Sequence, residues 1–86
     1  MTVNKMITKI KDNRYTLAFV LTAINESLPK GESCEIGISF SGEFILIRIK
    51  DGKGIIEHSD SNFTDFFEYL SNYKKDIGNV IDKKDE

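Results

Sequence analysis

Hydrophobic residues near the start of the chain recur with the spacing of an α-helix. Between residues 3 and 11 they stand at i, i+3, i+4 and i+7, on one side of a short amphipathic helix: Val3, Met6, Ile7 and Ile10. Thr2 is suited to cap the N-terminus of this helix, and Lys9 and Lys11 lie near its negative C-terminal end. Asp12-Asn13 then has the composition of a turn.

The next segment, residues 15–24, is compatible with two secondary structures. Its odd positions are all apolar, and it is rich in β-branched and aromatic residues, which is typical of a strand. A helix over residues 15–28 is the alternative. We favour the strand, followed by a polar loop over residues 25–33 that contains the only proline.

The middle of the chain predicts a β-hairpin. Strands 34–40 and 43–50 flank Ser41-Gly42, a sequence that suits a two-residue turn. The register that this turn sets brings the apolar alternates onto one face, as a half-buried sheet requires. The predicted opposite pairs are Phe40 with Glu43, Ile38 with Ile45, Ile36 with Ile47, and Cys34 with Ile49.

A third strand is predicted over residues 55–58, after a second turn at residues 51–54. If Asp51 pairs with Gly54, then Ile49 lies opposite Ile56. The same register sets Arg48 opposite Glu57, a cross-strand pair of opposite charge.

A C-terminal helix is predicted after residues 59–62, a run of four residue types that favour helix N-caps. Apolar residues follow the helical spacing from Phe63 to Ile77, and Gly78 is the expected stop. The fold class is therefore α+β: two layers, with an N-terminal helix, a three- to four-stranded antiparallel meander and a C-terminal helix. Residues 1–78 are expected to form a single domain, and residues 79–86 a frayed charged tail.

Composition narrows the function classes. The 86 residues include 12 Lys plus Arg and 14 Asp plus Glu, a net charge of −2 that excludes a strongly basic nucleic-acid-binding protein. A single Cys cannot form an internal disulfide, and one Cys with one His supply too few ligands for a typical zinc site. We therefore expect no metal and no cofactor. Without a secretory signal or an apolar run of about 20 residues, we expect a cytoplasmic protein with no membrane partner.

Catalytic chemistry has few candidate residues. Cys34 and His58 fall on different flanking strands of the predicted sheet, and no third group is placed to orient them. The segment Asp51-Gly52-Lys53-Gly54 resembles the Asp-x-Gly-x-Gly motif of ATPase domains related to the histidine kinases, but it is one residue short. That motif also needs a helix bearing an Asn, a role open to Asn25 only if residues 15–24 are helical. Because Asp-Gly between two strands is also a hairpin turn, we expect a turn and not an enzyme.

The charge distribution has one uneven region. No Lys or Arg lies between Lys53 and Lys74, while four carboxylates fall in that interval: Glu57, Asp60, Asp65 and Glu68. One interpretation is helix capping and a solvated face. The other is an acidic patch that meets a basic protein partner, for which charge complementarity would steer association.

Two segments resemble a small phage anti-CRISPR family that inhibits the RNA-guided nuclease of type II CRISPR systems. The first has the form M-x-x-N-x-x-I-x-x-I-K-x-x-x-Y-T: Met1, Asn4, Ile7, Ile10, Lys11, Tyr15 and Thr16. The second joins Ile47-Arg48-Ile49 through the Asp51-Gly52 turn to Ser59–Phe63. The resemblance covers about half of the chain loosely, and most of the shared residues are of core types.

The resemblance implies a DNA mimic whose carboxylates occupy a basic cleft and whose hairpin loop reaches the nuclease site. The acid-rich C-terminal helix of that family has no counterpart here, because this chain ends in VIDKKDE. We therefore predict a non-enzymatic protein-binding module, a phage or mobile-element inhibitor of a host defence nuclease, acting as a monomer or homodimer. Its predicted partner-binding residues are Asp51, Gly52, Glu57, Asp60, Asp65 and Glu68.

A second function class stays open. The chain is alternatively a structural or regulatory homo-oligomer that assembles through an unprotected sheet edge, with residues 15–24 as the exposed edge strand.

Overall fold

Three helices and three strands make up the protein in a computed structural model that describes residues 2–73. They are α1 (Val3–Asp12), α2 (Arg14–Ser27), β1 (Glu32–Ile38), β2 (Phe44–Lys50), β3 (Lys53–Asp60), and α3, which begins at residue 63 and is described to residue 73. The strands form an antiparallel sheet in the order β1-β2-β3, which confirms the α+β class. The predicted helix end at Gly78 and the tail at 79–86 lie outside the described residues.

Helix α1 confirms the first predicted element. The Thr2 hydroxyl accepts a hydrogen bond from the Lys5 backbone N–H at 3.3 Å, which caps the helix N-terminus. Met6 is fully buried. At the other end the Asn13 side-chain amide donates to the Lys9 carbonyl at 2.8 Å, and α2 begins at the next residue.

The predicted strand over residues 15–24 is wrong, because this segment lies within helix α2. Its buried and half-buried positions have the i, i+3, i+4, i+7 spacing of a helix: Leu17, Val20, Leu21 and Ile24. Tyr15 and Phe19 belong to the alternating apolar pattern that predicted a strand, and both are exposed in the helix. Within residues 2–73 the sheet accordingly has three strands and no fourth, and the predicted edge strand at 15–24 is absent.

The predicted two-residue turn at Ser41-Gly42 is also wrong. The backbone N–H of Ser39 donates to the Glu43 carbonyl at 2.9 Å, so that the loop contains three residues, 40–42. Gly42 takes a left-handed conformation (φ +83°), as the last position of a three-residue hairpin loop requires.

The longer loop shifts the β1–β2 register by one residue. Ile36 lies opposite Leu46 and not Ile47, and Cys34 lies opposite Arg48 and not Ile49. Since side chains alternate between faces, this slip turns every residue of β2 over. We call the face with Cys34 and Leu46 the core face. It carries Phe44, Leu46 and Arg48, whereas Ile45, Ile47 and Ile49 lie on the opposite face.

The β2–β3 connection is a two-residue turn of Asp51 and Gly52. Both residues have positive φ, +54° and +76°, as in the turns that suit twisted antiparallel strands. Lys50 therefore pairs with Lys53, and the predicted pairing of Asp51 with Gly54 is wrong, as is that of Ile49 with Ile56. Ile49 lies opposite Gly54.

A β-bulge interrupts β3 at Glu57. Leu46 lies opposite His58 and Ile47 opposite Ile56, which leaves Glu57 as the extra residue. Glu57 is thus not the cross-strand partner of Arg48, whose partner is Ile55. The bulge turns the side chains of Glu57 and His58 toward α3, where they contact Tyr73 and Tyr69 respectively.

The hydrophobic core is built from all three helices and one face of the sheet. Its largest fully buried side chains are Phe44, Phe66, Met6, Ile24, Leu46 and Leu70. Phe44 contacts both Phe63 and Phe66, with ring centroids 5.3 and 5.7 Å apart. Within residues 2–73 no helix combines the length and the apolar character that a membrane span needs.

Candidate functional site

The six residues predicted to bind a partner do not form one compact surface. Asp51 and Gly52 form the exposed turn at one end of β3, and Asp60 lies at the other end of this eight-residue strand. At roughly 3.3 Å per residue, about 23 Å separates the two ends. The turn and the carboxylates around α3 would therefore contact different parts of any partner.

Three of the carboxylates lie at or near the start of α3, and we call them the acidic face: Asp60, Asp65 and Glu68. Asp65 and Glu68 are exposed and three residues apart on the helix, so they point the same way. Asp60 accepts a hydrogen bond from the Asn62 backbone N–H at 2.9 Å. Asn62 in turn caps α3 by accepting from the Asp65 N–H at 3.0 Å.

Glu57 is held by an internal network and belongs to a different environment. Its two carboxylate oxygens accept hydrogen bonds from the Tyr73 hydroxyl at 2.9 and 3.0 Å. The Arg48 guanidinium lies 3.5 Å from the same carboxylate and forms a closer ion pair with Glu32, to which its Nε donates at 2.8 Å. These four side chains join all three strands to α3, and we call them the Arg48 cluster.

Electrostatics within the Arg48 cluster favour a charged Arg48 and a neutral Tyr73. Hydrogen bonding to Glu32 raises the pKa of Arg48. Burial, followed by the hydrogen bond to Glu57 and the charge of that carboxylate, raises the pKa of Tyr73. A neutral phenol beside two carboxylates and one guanidinium is a good donor and a poor base, so the cluster is suited to holding the sheet and α3 together.

A shallow cavity of about 300 Å³ opens beside the Arg48 cluster. Its lining comprises Glu32, Arg48, Lys50, Ile55 and Glu57. The charged groups of Arg48, Glu32 and Glu57 already satisfy one another at its wall. Among the described residues no three His, Cys, Asp or Glu side chains come together as a metal-binding group.

Cys34 and His58 occupy separate edges of the core face. Cys34 on β1 lies opposite Arg48 and His58 on β3 lies opposite Leu46, so two strand spacings and a two-residue offset put their backbones about 12 Å apart. Burial raises the pKa of the Cys34 thiol, with a further contribution from the charge of Glu57, and a thiol in that state is a poor nucleophile. His58 stacks on Tyr69 with ring centroids 3.8 Å apart, and its buried Nε2 has no hydrogen-bond partner among the described residues.

Asn25 lies on a helix, as the resemblance to an ATPase motif would require, but its amide serves the sheet. Its Oδ1 accepts a hydrogen bond from the Cys34 backbone N–H at 2.7 Å, and its Nδ2 donates to the Cys34 and Leu21 carbonyls. The amide thereby occupies the outer edge of β1. Asp51 stands apart from it in the exposed β2–β3 turn.

Two structural features, the Arg48 cluster and the exposed outer side of α2, were not predicted from the sequence. The Arg48 cluster depends on the β1–β2 register and on the bulge, neither of which has a local sequence signal at Glu32 or Tyr73. The outer side of α2, with Tyr15 and Phe19, depends on recognising the helix. The spacing Leu17, Val20, Leu21 and Ile24 was the available signal.

Comparison of the chain with protein-family models, with curated proteins and with solved structures found no match.

Proposed function

We propose that the protein is a small non-enzymatic protein-binding module that inhibits a host defence nuclease, an RNA-guided nuclease of the type II CRISPR kind. The proposed mechanism is steric and charge block, with carboxylates occupying a basic cleft that would otherwise bind DNA. The proposed architecture is two-layered, with the helices covering the core face of the sheet so that α3 presents its outer side to the partner.

The observation that carries this proposal is the acidic face. Asp65 and Glu68 project from adjacent turns of α3, with side chains about 5–6 Å apart at Cβ, and Asp60 lies just before the helix. A basic DNA-binding cleft favours a rigid row of negative charge, and helix α3 fixes the backbone positions of two of the three carboxylates. The resemblance of residues 1–16 and 47–63 to anti-CRISPR proteins supports the choice of nuclease.

Glu57 contributes less to this surface than the sequence suggested. Its carboxylate is one-quarter exposed and already contacts Arg48 and Tyr73. The Asp51–Gly52 turn is exposed at the far end of β3, where it supplies a second contact of the kind that the resemblance assigns to a hairpin loop.

A DNA-cleavage assay with a purified type II RNA-guided nuclease tests the proposal. The protein is added either before or after the target duplex. Competition for the DNA-reading cleft predicts strong inhibition when the protein is added first and weak inhibition when the duplex is already bound. Undisturbed cleavage in both orders, with a range of such nucleases, would refute the nuclease as the target.

A charge-reversed pair tests the role of the acidic face. We expect D65K/E68K to lose inhibition and to flatten the salt dependence of binding, chiefly through a slower on-rate. The matched control D12K/E35K changes the net charge by the same amount at exposed positions on α1 and β1. Equal loss in both variants would show that overall charge, and not this face, determines binding.

Self-assembly through a sheet edge is the second candidate function, and β3 is the edge strand through which we propose that it would occur. In an antiparallel pairing of two β3 strands about Ile55, this residue of each copy lies opposite Ile55 of the other. Ile55 is 62% exposed, and burial of two such side chains at the axis would add an apolar contact. A concentration-dependent dimer that I55D abolishes would support it.

A further inference from the structure

Helix α2 is apolar on two opposite sides. One side packs into the core through Leu17, Ile24 and their half-buried neighbours. The other side, which we call the outer stripe, consists of Tyr15, Ala18, Phe19, Thr22, Ala23 and Glu26. A helix at the surface of a lone domain ordinarily turns charged and polar residues outward, and a helix that is apolar all round is ordinarily buried. Five of the six outer-stripe residues carry no charge.

The aromatic residues of the outer stripe are unusually accessible. Tyr15 and Phe19 are each 78% exposed and stand one helical turn apart. Together with the small residues beside them they border an open groove of about 450 Å³. Exposed aromatic residues grouped in this way are typical of interaction surfaces, because each contributes a large rigid contact area.

We propose that the outer stripe pairs antiparallel with the outer stripe of a second copy of this chain, forming a two-fold symmetric dimer. The first argument is the shape of the outer stripe. The bulky residues, Tyr15 and Phe19, lie in the N-terminal half of the stripe, and the small ones, Thr22 and Ala23, in the C-terminal half. An antiparallel pair centred between residues 20 and 21 packs Phe19 of each copy against the small residues of the other, whereas a parallel pair sets bulk against bulk.

Charge complementarity is the second argument. The Arg14 guanidinium stacks 4.7 Å from the centre of the Tyr15 ring, which places a cation at the N-terminal end of the stripe. Glu26 is the anion at the C-terminal end. In this register Tyr15, on whose ring the Arg14 guanidinium stacks, lies level with Glu26 of the second copy, which brings the two charges together twice in the dimer. A parallel arrangement would place the two Glu26 side chains together.

The size of the surface sets the expected affinity. Helix α2 has 14 residues and is about 21 Å long and about 10 Å wide, so its outer side covers about 200 Å² of projected area. A stable interface buries roughly 800 Å² on each partner. We therefore expect a weak dimer that forms at tens to hundreds of micromolar protein and that dissociates on dilution.

Sedimentation equilibrium of the whole chain between about 10 µM and 1 mM tests the dimer. We expect the wild type to shift from monomer to dimer in this range and F19D to raise the dissociation constant at least tenfold. The matched control is F40D, which makes the same substitution at an exposed phenylalanine in the β1–β2 loop. Circular dichroism checks that both variants are folded. A wild type that stays monomeric at 1 mM overturns the proposal, as does a dimer that I55D abolishes and F19D preserves.

A charge exchange tests the antiparallel arrangement. We expect R14E and E26R each to weaken the dimer several-fold, and R14E/E26R to restore it to near the wild-type dissociation constant. Both substitutions suit the helix, since they put a negative charge in its first turn and a positive charge in its last. A double variant no stronger than the single variants overturns the antiparallel pairing. If F19D removes nuclease inhibition while the wild type remains monomeric, the outer stripe belongs to a heterologous interface and the dimer is refuted.

Discussion

Removal of the Tyr73 hydroxyl should destabilise the protein at neutral pH and leave its stability almost unchanged near pH 11. The hydroxyl donates to the Glu57 carboxylate and accepts from Arg48 at 3.4 Å, while the Tyr73 ring is buried in the core. Tyr73→Phe keeps the ring and deletes only these hydrogen bonds. A hydrogen bond to a charged group contributes about 1.5–3 kcal/mol. Because Glu57 is one-quarter exposed and regains water, we expect the lower limit, about 1.5 kcal/mol at pH 7.

The pH dependence follows from the raised pKa of Tyr73. In the unfolded chain this phenol ionises near its ordinary pKa of 10, whereas in the folded protein burial and Glu57 keep it protonated to higher pH. Above pH 10 the unfolded state thus binds fewer protons than the folded state, and stability falls as the pH rises. The loss approaches about 1.4 kcal/mol for each pH unit, so that by pH 11 the wild type has lost roughly what the hydrogen bond contributed.

Urea unfolding of both proteins at pH 7, 9, 10 and 11, followed by circular dichroism, measures this difference. We expect a gap in unfolding free energy of about 1.5 kcal/mol at pH 7 that closes near pH 11. Cys34 has a raised pKa in the same direction, and its hydrogen bond with Tyr73 lowers that pKa, so both proteins carry Cys34→Ala to remove its titration from the comparison. A gap that stays constant from pH 7 to pH 11 would refute the assignment of a buried, protonated Tyr73.

Four further substitutions separate core packing, surface exposure, polar burial and backbone conformation. Phe66→Ala should cost about 3–5 kcal/mol in urea unfolding because it empties a fully buried site, whereas Glu68→Ala on the exposed side of α3 should change stability by less than about 0.5 kcal/mol. His58→Phe should raise the unfolding free energy by about 1–3 kcal/mol, since it retains the stacking on Tyr69 and removes a buried nitrogen that has no partner in residues 2–73; a loss of stability would contradict this. Gly52→Ala should lower the melting temperature through a cost of about 1–2 kcal/mol, because φ is +76° at this position, and an unchanged melting temperature would show that the turn adapts.

Local patterns in the sequence determined the elements whose apolar period is unambiguous. The stripe in α1, its Thr2 cap, the N-cap residues before α3 and the antiparallel meander were all predicted, and each depends on residues within one or two turns of one another. These are short-range preferences of the backbone, and neighbouring residues are sufficient to express them.

The register of the sheet was decided by tertiary packing. The sequence around residues 39–43 is compatible with loops of two and of three residues, and both give strands with good apolar alternation. Only the core selects between them, because the three-residue loop buries Phe44 against Phe63 and Phe66 of α3 and places Leu46 in the core. That single-residue shift, together with the bulge at Glu57, also brings Arg48 to Glu32 and Tyr73. No local preference of any of these residues encodes the cluster they form.

Tertiary packing also decided between strand and helix for residues 14–27. The segment carries two apolar patterns at once, a period of two that includes Tyr15 and Phe19 and a helical spacing through Leu17 and Ile24. The core buries only the second set, and Asn25 secures the helix to β1 through the Cys34 backbone. The sequence thus determined that these residues are apolar, whereas packing against β1 decided which of them the domain buries and which it leaves on its surface.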